Sequence, residues 1–270
     1  MAHKFSYPGV MLSPYEVERF WSDGFLAMES FIDESTVSEL RRAYDDIIEG
    51  RVLSKTDRML GGITRQVLVP SMVHPVFEMN QAIERATDVV RALLGTATAS
   101  RTYDMLIDKP AGHPYETPWH QDVGYYAVPT APAGTTAPMT TLQFWVALDE
   151  VDIDNGCMEF LPACHTGSSE AHEVTAGAPN DDGRLIAMVD RQNIDPQAVA
   201  ACPLPAGGAT VHTALTPHRT GPNRTASKPR RAYIFNLLAT DADERGIELF
   251  MRQQYVRSIE NSPLRYRAEV

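Results

Sequence analysis

The chain has 270 residues, 43% of them hydrophobic, enough to bury the core of one large β-rich domain. Its formal net charge of -11, from 24 basic and 35 acidic residues, argues against a nucleic-acid or anionic-membrane surface, which needs clustered Lys and Arg. A membrane span of roughly 18 apolar residues and a secretory signal core are both absent, and three cysteines without a CxxC pair (Cys157, Cys164, Cys202) give no zinc ribbon or disulfide framework, so a cytoplasmic protein with reduced thiols is expected.

In chain order, Ser13-Pro14-Tyr15-Glu16 is a capping box with Pro at the first helical position, and it opens a helix through Trp21 that Gly24 ends. "FLAMESFI" follows as a short apolar strand. "STVSELRRAYDDIIEG" reads as a second helix with Val37, Leu40, Tyr44 and Ile47 on one face, and "HPVFEMNQAIERATDVVRALLG" as a third that Gly95 closes. From about residue 98 the pattern turns to short β-rich runs between Pro and Gly clusters: "SRTYDMLID", "TTLQFWVALDEV", "GCMEFLPACH", "GATVHTAL" and "RRAYIFNLLA". This order predicts an antiparallel sandwich or barrel with a helical layer packed outside it. Three stretches, "LSKTDRMLGGITRQVLVPSM", "AVPTAPAGTTAP" and "TAGAPNDDGRLIAMVDRQNIDPQ", read as long loops of the kind that form lids or substrate walls.

Two clusters carry the chemistry. In "WHQDVGYY", His120 and Asp122 stand two positions apart; on a strand they would share a face while Gln121 points away. In "VHTALTPHRTGPNRTASKPRRAYIFNL", His218 sits at a strand end and the pair Arg230 and Arg231 begins the next strand. Two neutral imidazoles and one carboxylate form the facial triad that holds non-haem Fe(II) with open coordination positions. A nearby guanidinium is the natural bidentate partner for the carboxylate of a small keto-acid cosubstrate.

His120-Gln121-Asp122, followed by "LQFWVALDEVDIDNGCMEFLPACHTG" and "HTALTPHRTGPNRTASKPRRA", resembles the phytanoyl-CoA dioxygenase family of Fe(II)/2-oxoglutarate-dependent oxygenases, from about residue 14 to about residue 240. The resemblance implies a mainly β fold with flanking helices: a double-stranded β-helix (jelly-roll, cupin-like) core over about residues 98–240, supported by a helical N-terminal layer over about 13–95, in a single domain spanning 1–270. It implies Fe(II), 2-oxoglutarate and O2 as cofactors, with succinate and CO2 released as a substrate C–H bond is oxidised.

Residue by residue, it puts the iron ligands at His120, Asp122 and His218; His212 competes for the third place, but Thr220, a small hydroxyl residue two positions after His218, favours the second histidine. The cosubstrate arginine corresponds to Arg230, with Arg231 as its rival, and Thr220 would donate to the same distal carboxylate. Gln143 and Trp145 would flank the cosubstrate, since the tryptophan face of "TTLQFWVALDEV" turns inward. Asn223 would order its loop, "NGC" at 155–157 would form a turn through Asn and Gly at positive φ, and His74, His113 and His165 read as packing or surface residues. A carboxylate at Asp122 favours hydroxylation, desaturation or rearrangement over halogenation. The substrate is expected to be a small molecule of secondary metabolism, with Arg65, Gln66, Tyr125 and Tyr126 as wall residues. A cupin-like enzyme using the same triad without 2-oxoglutarate is the alternative.

Overall fold

The computed structural model describes residues 12–96, 98–125, 141–166, 170–176, 185–191 and 193–239. The local rules read from the sequence build its first third. Ser13 and Glu16 exchange the two hydrogen bonds of a capping box at the start of α1 (Pro14–Asp23), and Gly24, at φ 88°, ends the helix. β1 (Phe25–Met28) is shorter than its apolar run, and Phe31 and Ile32 instead donate their backbone N–H groups to the Gly207 carbonyl. Asp33 caps α2 (Glu34–Ile48) by accepting from the Thr36 N–H.

The stretch at 53–72 is not a loop. It forms a hairpin, β2 (Asp57–Leu60) and β3 (Thr64–Leu68), turned by Gly61 and Gly62 at positive φ and followed by a short 3-10 turn at Pro70–Met72. The third predicted helix is two, α3 (Pro75–Glu78) and α4 (Gln81–Leu94): Asn80 caps the second by accepting from Ala82 and Ile83 N–H, a local bond that stops the first from continuing.

The β-rich portion supplies β4 (Ala99–Lys109), β5 (Thr117–His120), β6 (Thr141–Ala147), β7 (Met158–Phe160), β8 (His172–Ala176), β9 (Leu185–Met188), β10 (Ala200–Cys202), β11 (Ala209–Thr213), β12 (His218–Thr220) and β13 (Arg230–Ala239). A seven-stranded sheet runs β1-β11-β6-β13-β4-β3-β2, a four-stranded sheet runs β10-β7-β12-β5, and β8 and β9 pair as a hairpin. All the named ladders are antiparallel, so the core is the jelly-roll sandwich expected. The stretch at 175–197 is thus partly a hairpin and partly outside the described residues, and the stretch at 127–138 lies wholly outside them. Among the described residues no helix is long and apolar enough to cross a membrane.

Strand alternation divides the core in two. On β6, Leu142, Phe144 and Val146 turn to the helical layer and pack with Phe20, Val37, Leu40, Phe77 and Val89, each such buried side chain contributing about 1.5–3 kcal/mol. Trp145 and Ala147 turn the other way, into the gap between the sheets, where Ala232 and Ile234 of the large sheet meet Met158 and Phe160 of the small one. Phe25 and Phe160 stack across this gap with ring centroids 4.3 Å apart. The N-terminal segment is therefore more than a helical layer, since β1, β2 and β3 edge the large sheet.

Candidate active site

His120 ends β5, and Asp122 opens a 3-10 turn (Asp122–Tyr125) immediately after it. The pair therefore straddles a strand end rather than sharing a strand face. Gln121 fixes the bend: its backbone N–H donates to His172 Nε2 (3.0 Å), its amide donates to the Leu215 carbonyl (2.7 Å), and its amide oxygen accepts from Glu170 N–H (2.8 Å). His218 opens β12 rather than ending a strand, and register places it opposite His120.

His120, Asp122 and His218 are all buried, and one ligand atom from each lies within 4.8 Å of the others. His120 Nδ1–H donates to the Pro118 carbonyl (2.7 Å) and His218 Nδ1–H to the Thr216 carbonyl (2.9 Å), which leaves both Nε2 atoms as bare lone pairs. Those atoms stand 4.0 and 3.7 Å from Asp122 Oδ1. Burial lowers the pKa of both imidazoles, His218 most strongly, against the opposing pull of Asp122. Burial resists ionisation of Asp122 too, but His218, His212 and His120 outweigh it and hold the carboxyl well below its usual range. Three lone-pair donors that converge with no proton between them fit a divalent cation, and this donor set fits Fe(II).

His212 is not one of the converging three. Its Nε2 faces the other carboxylate oxygen, Asp122 Oδ2, at 3.2 Å, and the Gln143 amide lies 3.4 Å away. One carboxylate oxygen is thus turned to His120 and His218 and the other is held by His212.

Arg230 and Arg231 have opposite surroundings. Arg230 is 1% exposed; its guanidinium lies 4.7 Å from the centre of the Trp145 ring, and its Nε donates to the Gly156 carbonyl (3.1 Å). Burial pushes it down to about 10, so it stays charged at neutral pH. Arg231 turns to the helical layer and is forked onto Asp149 (2.8 and 3.0 Å) with a further bond to Asp45 (3.0 Å). Gly156 adopts φ 85°, and an added Cβ would meet the Gly221 oxygen at 2.5 Å, so only glycine fits beside Arg230. Asn155 does not take positive φ, and instead its side chain bonds Asp152 N–H and the Glu150 carbonyl.

Thr220, buried on β12, accepts from Lys109 Nζ at 2.9 Å, and Asn223 orders the following loop through the carbonyls of Lys109 (2.9 Å) and Lys228 (2.8 Å). Lys109, His172 and Gln121 are not among the site residues marked by the sequence motifs. The signal for Lys109 was the alternation Met105-Ile107-Lys109, which runs a lysine onto an otherwise apolar inward face.

Of the wall residues, Arg65 is tied to Asp57 (2.6 Å) and to the Ile48 carbonyl (3.1 Å) and does not join the site. Gln66 pairs with Ile107 and shares its inward face. Tyr125 packs edge-on to His120, and Tyr126 lies outside the described residues. His74 caps α3, His113 bonds the Ile63 carbonyl, and His165 packs against Gly24. A groove of about 650 Å³ lined by Trp119, Glu159 and Arg219 lies on the far face of the small sheet, away from His120, Asp122 and His218.

The phytanoyl-CoA dioxygenase (PhyH) family model matches residues 20–232. The chain belongs to that family. It is 25% identical over 242 residues to a probable alpha-ketoglutarate-dependent hypophosphite dioxygenase of Stutzerimonas stutzeri, covering 84% of this chain and 79% of that protein. The structure of EvdO2 from Micromonospora carbonacea var. aurantiaca complexed with 2-oxoglutarate is 29% identical, with a TM-score of 0.67 over 87% of this chain and 96% of that one. SnoK, a non-heme alpha ketoglutarate dependent carbocyclase from nogalamycin biosynthesis, shares the fold at 19% identity and a TM-score of 0.65, over 85% of each chain. This PhyH-family protein is a 2-oxoglutarate-dependent dioxygenase whose cofactors are Fe(II), 2-oxoglutarate and O2.

Proposed function

We propose that this dioxygenase oxidises a C–H bond of a small molecule of secondary metabolism, by hydroxylation or by the related desaturation or rearrangement, in the cytoplasm and as a single domain. His120, Asp122 and His218 hold the metal; Arg230 and Thr220 take the distal carboxylate of 2-oxoglutarate, with Gln143 and Trp145 beside it. The observation that carries the reading is the convergence of two bare Nε2 atoms and one carboxylate oxygen, backed by a buried guanidinium laid on Trp145.

Fe(II) with 2-oxoglutarate and O2 supplies oxidation of the substrate C–H bond, with succinate and CO2 as co-products. The chain's own part is orientation and electrostatics. The Pro118 and Thr216 carbonyls fix the tautomers of the two histidines, and His212 restrains the carboxylate. The retained carboxylate at Asp122 supports oxygen transfer rather than halogenation. The acidic balance of the chain, and the lack in its sequence of a Lys/Arg cluster suited to the phosphates of CoA, support a small natural-product skeleton rather than an acyl-CoA.

The test is anaerobic titration of the Fe(II)-loaded protein with 2-oxoglutarate, following the visible metal-to-ligand charge-transfer band of a chelated keto acid. A band that weakens in Arg230→Ala supports the assignment and opens substrate screening by succinate release. Iron binding without any band would defeat it.

A further inference from the structure

The β8–β9 hairpin has two faces with different neighbours. Its register pairs His172 with Met188, Glu173 with Ala187 and Val174 with Ile186, so alternation puts His172 and Ile186 on one face and Glu173 and Ala187 on the other. Glu173 and Ala187 line the groove behind the small sheet. His172 and Ile186 lie on the turn that carries Asp122: a Cβ added to Gly124 would come within 2.8 Å of His172 Cγ and of Ile186 Cδ1. Gly124 is not at positive φ, so glycine is required there by close approach alone. At its far end the hairpin meets the β2–β3 hairpin, where a Cβ on Gly61 would stand 3.1 Å from the Cβ atoms of Ala176 and Leu185.

Hydrogen bonds tie the same face to the peptide between His120 and Asp122. β5 edges the small sheet and ends at His120, so Gln121 lies beyond the ladder, and His172 Nε2 accepts from its N–H at 3.0 Å. His172 Nδ1–H donates to the Glu170 carbonyl (2.8 Å), which fixes the tautomer and leaves Nε2 as the acceptor. Glu170 N–H in turn donates to Gln121 Oε1 (2.8 Å), and its carboxylate is forked by Arg191 (2.7 and 3.1 Å), which closes the base of the hairpin. Gln121, buried, is thus gripped by main chain and side chain. Because it stands between His120 and Asp122, any shift of its peptide moves both donors.

We propose that His172 is a positioning residue for the metal centre, and that the β8–β9 hairpin is a strap that holds the bend from His120 to Asp122 in its metal-binding arrangement. The inference rests on the assignment of His120, Asp122 and His218 to the metal, and adds what keeps the first two in place. With the strap docked, Asp122 Oδ1 stays beside the two imidazoles; with it lifted, the Gln121 N–H loses its acceptor and the bend relaxes. The linkage runs both ways: metal binding favours the docked strap by the same factor by which docking favours metal binding.

Both directions can be read on the whole protein with Mn(II) as the probe, its affinity from the electron paramagnetic resonance of free Mn(II) and strap docking from amide hydrogen exchange in β8 and β9. In the unmodified protein Mn(II) should slow that exchange. His172→Ala is expected to raise the Mn(II) Kd by about 10–100-fold, as loss of other outer partners does, and to remove the Mn(II)-dependent protection. His172→Gln, whose amide oxygen can accept from the same N–H, should restore the affinity to within about threefold, a rescue that loss of packing would not show. Gly124→Ala leaves His172 in place but pushes the hairpin off the turn, so it should reproduce the His172→Ala result, and it serves if that variant does not fold. Glu173→Gln, on the groove face, should change neither readout; a loss there equal to that in His172→Ala overturns the proposal. So does natural Mn(II) affinity in His172→Ala and Gly124→Ala, or exchange in β8 and β9 that ignores Mn(II), and the metal reading then stands where His218→Ala still loses Mn(II). Failure of the unmodified protein to bind Mn(II) overturns both.

Discussion

Asp104 and Asp122 are both buried carboxylates, one on each side of the large sheet, and their surroundings drive them in opposite directions. Asp104 faces the helical layer, where Ser71 N–H (3.1 Å), Ser71 Oγ–H (2.9 Å) and the Tyr233 hydroxyl (3.4 Å) donate to it. Complete burial pushes it up to about 6, with Arg101 and these donors only partly opposing. Asp122 faces the gap between the sheets, where three imidazoles hold it ionised against burial. On the helical side Asp104 is answered by other groups of the chain; Arg231, forked on Asp149, follows the same pattern. On the inner side two bare Nε2 atoms face a carboxylate oxygen, an arrangement complementary to a cation rather than to another group of the chain. Substitutions on the two sides should accordingly fail in different ways.

The largest effect is expected at the three converging donors. Asp122→Ala and His218→Ala should abolish Fe(II) binding and turnover, read by metal titration and succinate release. His212→Ala keeps all three donors and loses only the restraint on Oδ2, so metal should still bind, weakened by about 10–100-fold as for other outer partners of metal ligands. Loss of metal in His212→Ala with retention in His218→Ala would reverse the ligand assignment and erase the distinction between donor and support.

Arg230 and Arg231, adjacent on β13, give the next contrast. With Arg230 as the proposed cosubstrate residue, Arg230→Ala should raise the 2-oxoglutarate Kd by about 10–150-fold, the loss expected for charge-assisted hydrogen bonds. Arg231→Ala should leave that Kd within about twofold and cost about 1–3 kcal/mol of stability, because its partly buried ion pairs tie β13 to α2 and to the segment after β6. Equal effects on cosubstrate affinity would mean that alternation on β13 does not decide which arginine reaches it.

How much of this was legible in the sequence follows the range of the interactions. The capping box at Ser13, the Gly24 and Gly95 stops and the alternation on β6 depend on near neighbours in the chain, and the structure carries them out. The helical period of 74–95 hid the break at Asn80, whose side chain competes for the backbone. The Gly61-Gly62 hairpin at 53–72 was hidden because polar residues at 54–58 mask strands that gain their stability only by edging the large sheet. The three residues that converge were readable from His-x-Asp and a distal histidine, but the bend that brings them together depends on Gln121 reaching Leu215, 94 positions away. Lys109 was missed for the same reason: only the β4–β13 register reveals that it faces Arg230.

The smallest predicted effect returns to Asp104. Its folded pKa of about 6 lies above its ordinary 3.8, so between those values the folded state binds more protons than the unfolded chain. Stability is therefore greatest, with respect to this group, below about pH 4, falls as pH rises through the window, and levels off above about pH 6, by about 3 kcal/mol in total at 1.36 kcal/mol per unit. About 1 kcal/mol of that falls between pH 5 and pH 7. Asp104→Asn can keep its oxygen on Ser71 N–H and turn its amide to the Ser71 hydroxyl, so it retains the hydrogen bonds and removes the titration. Urea unfolding of the natural protein and the variant at the two pH values isolates the term, since the inner-face groups titrate alike in both and cancel in the difference. A variant with the same pH slope as the natural protein would show that Asp104 is not the carboxylate that separates the two faces, whereas a flattened slope with unchanged 2-oxoglutarate binding confines its role to the helical side.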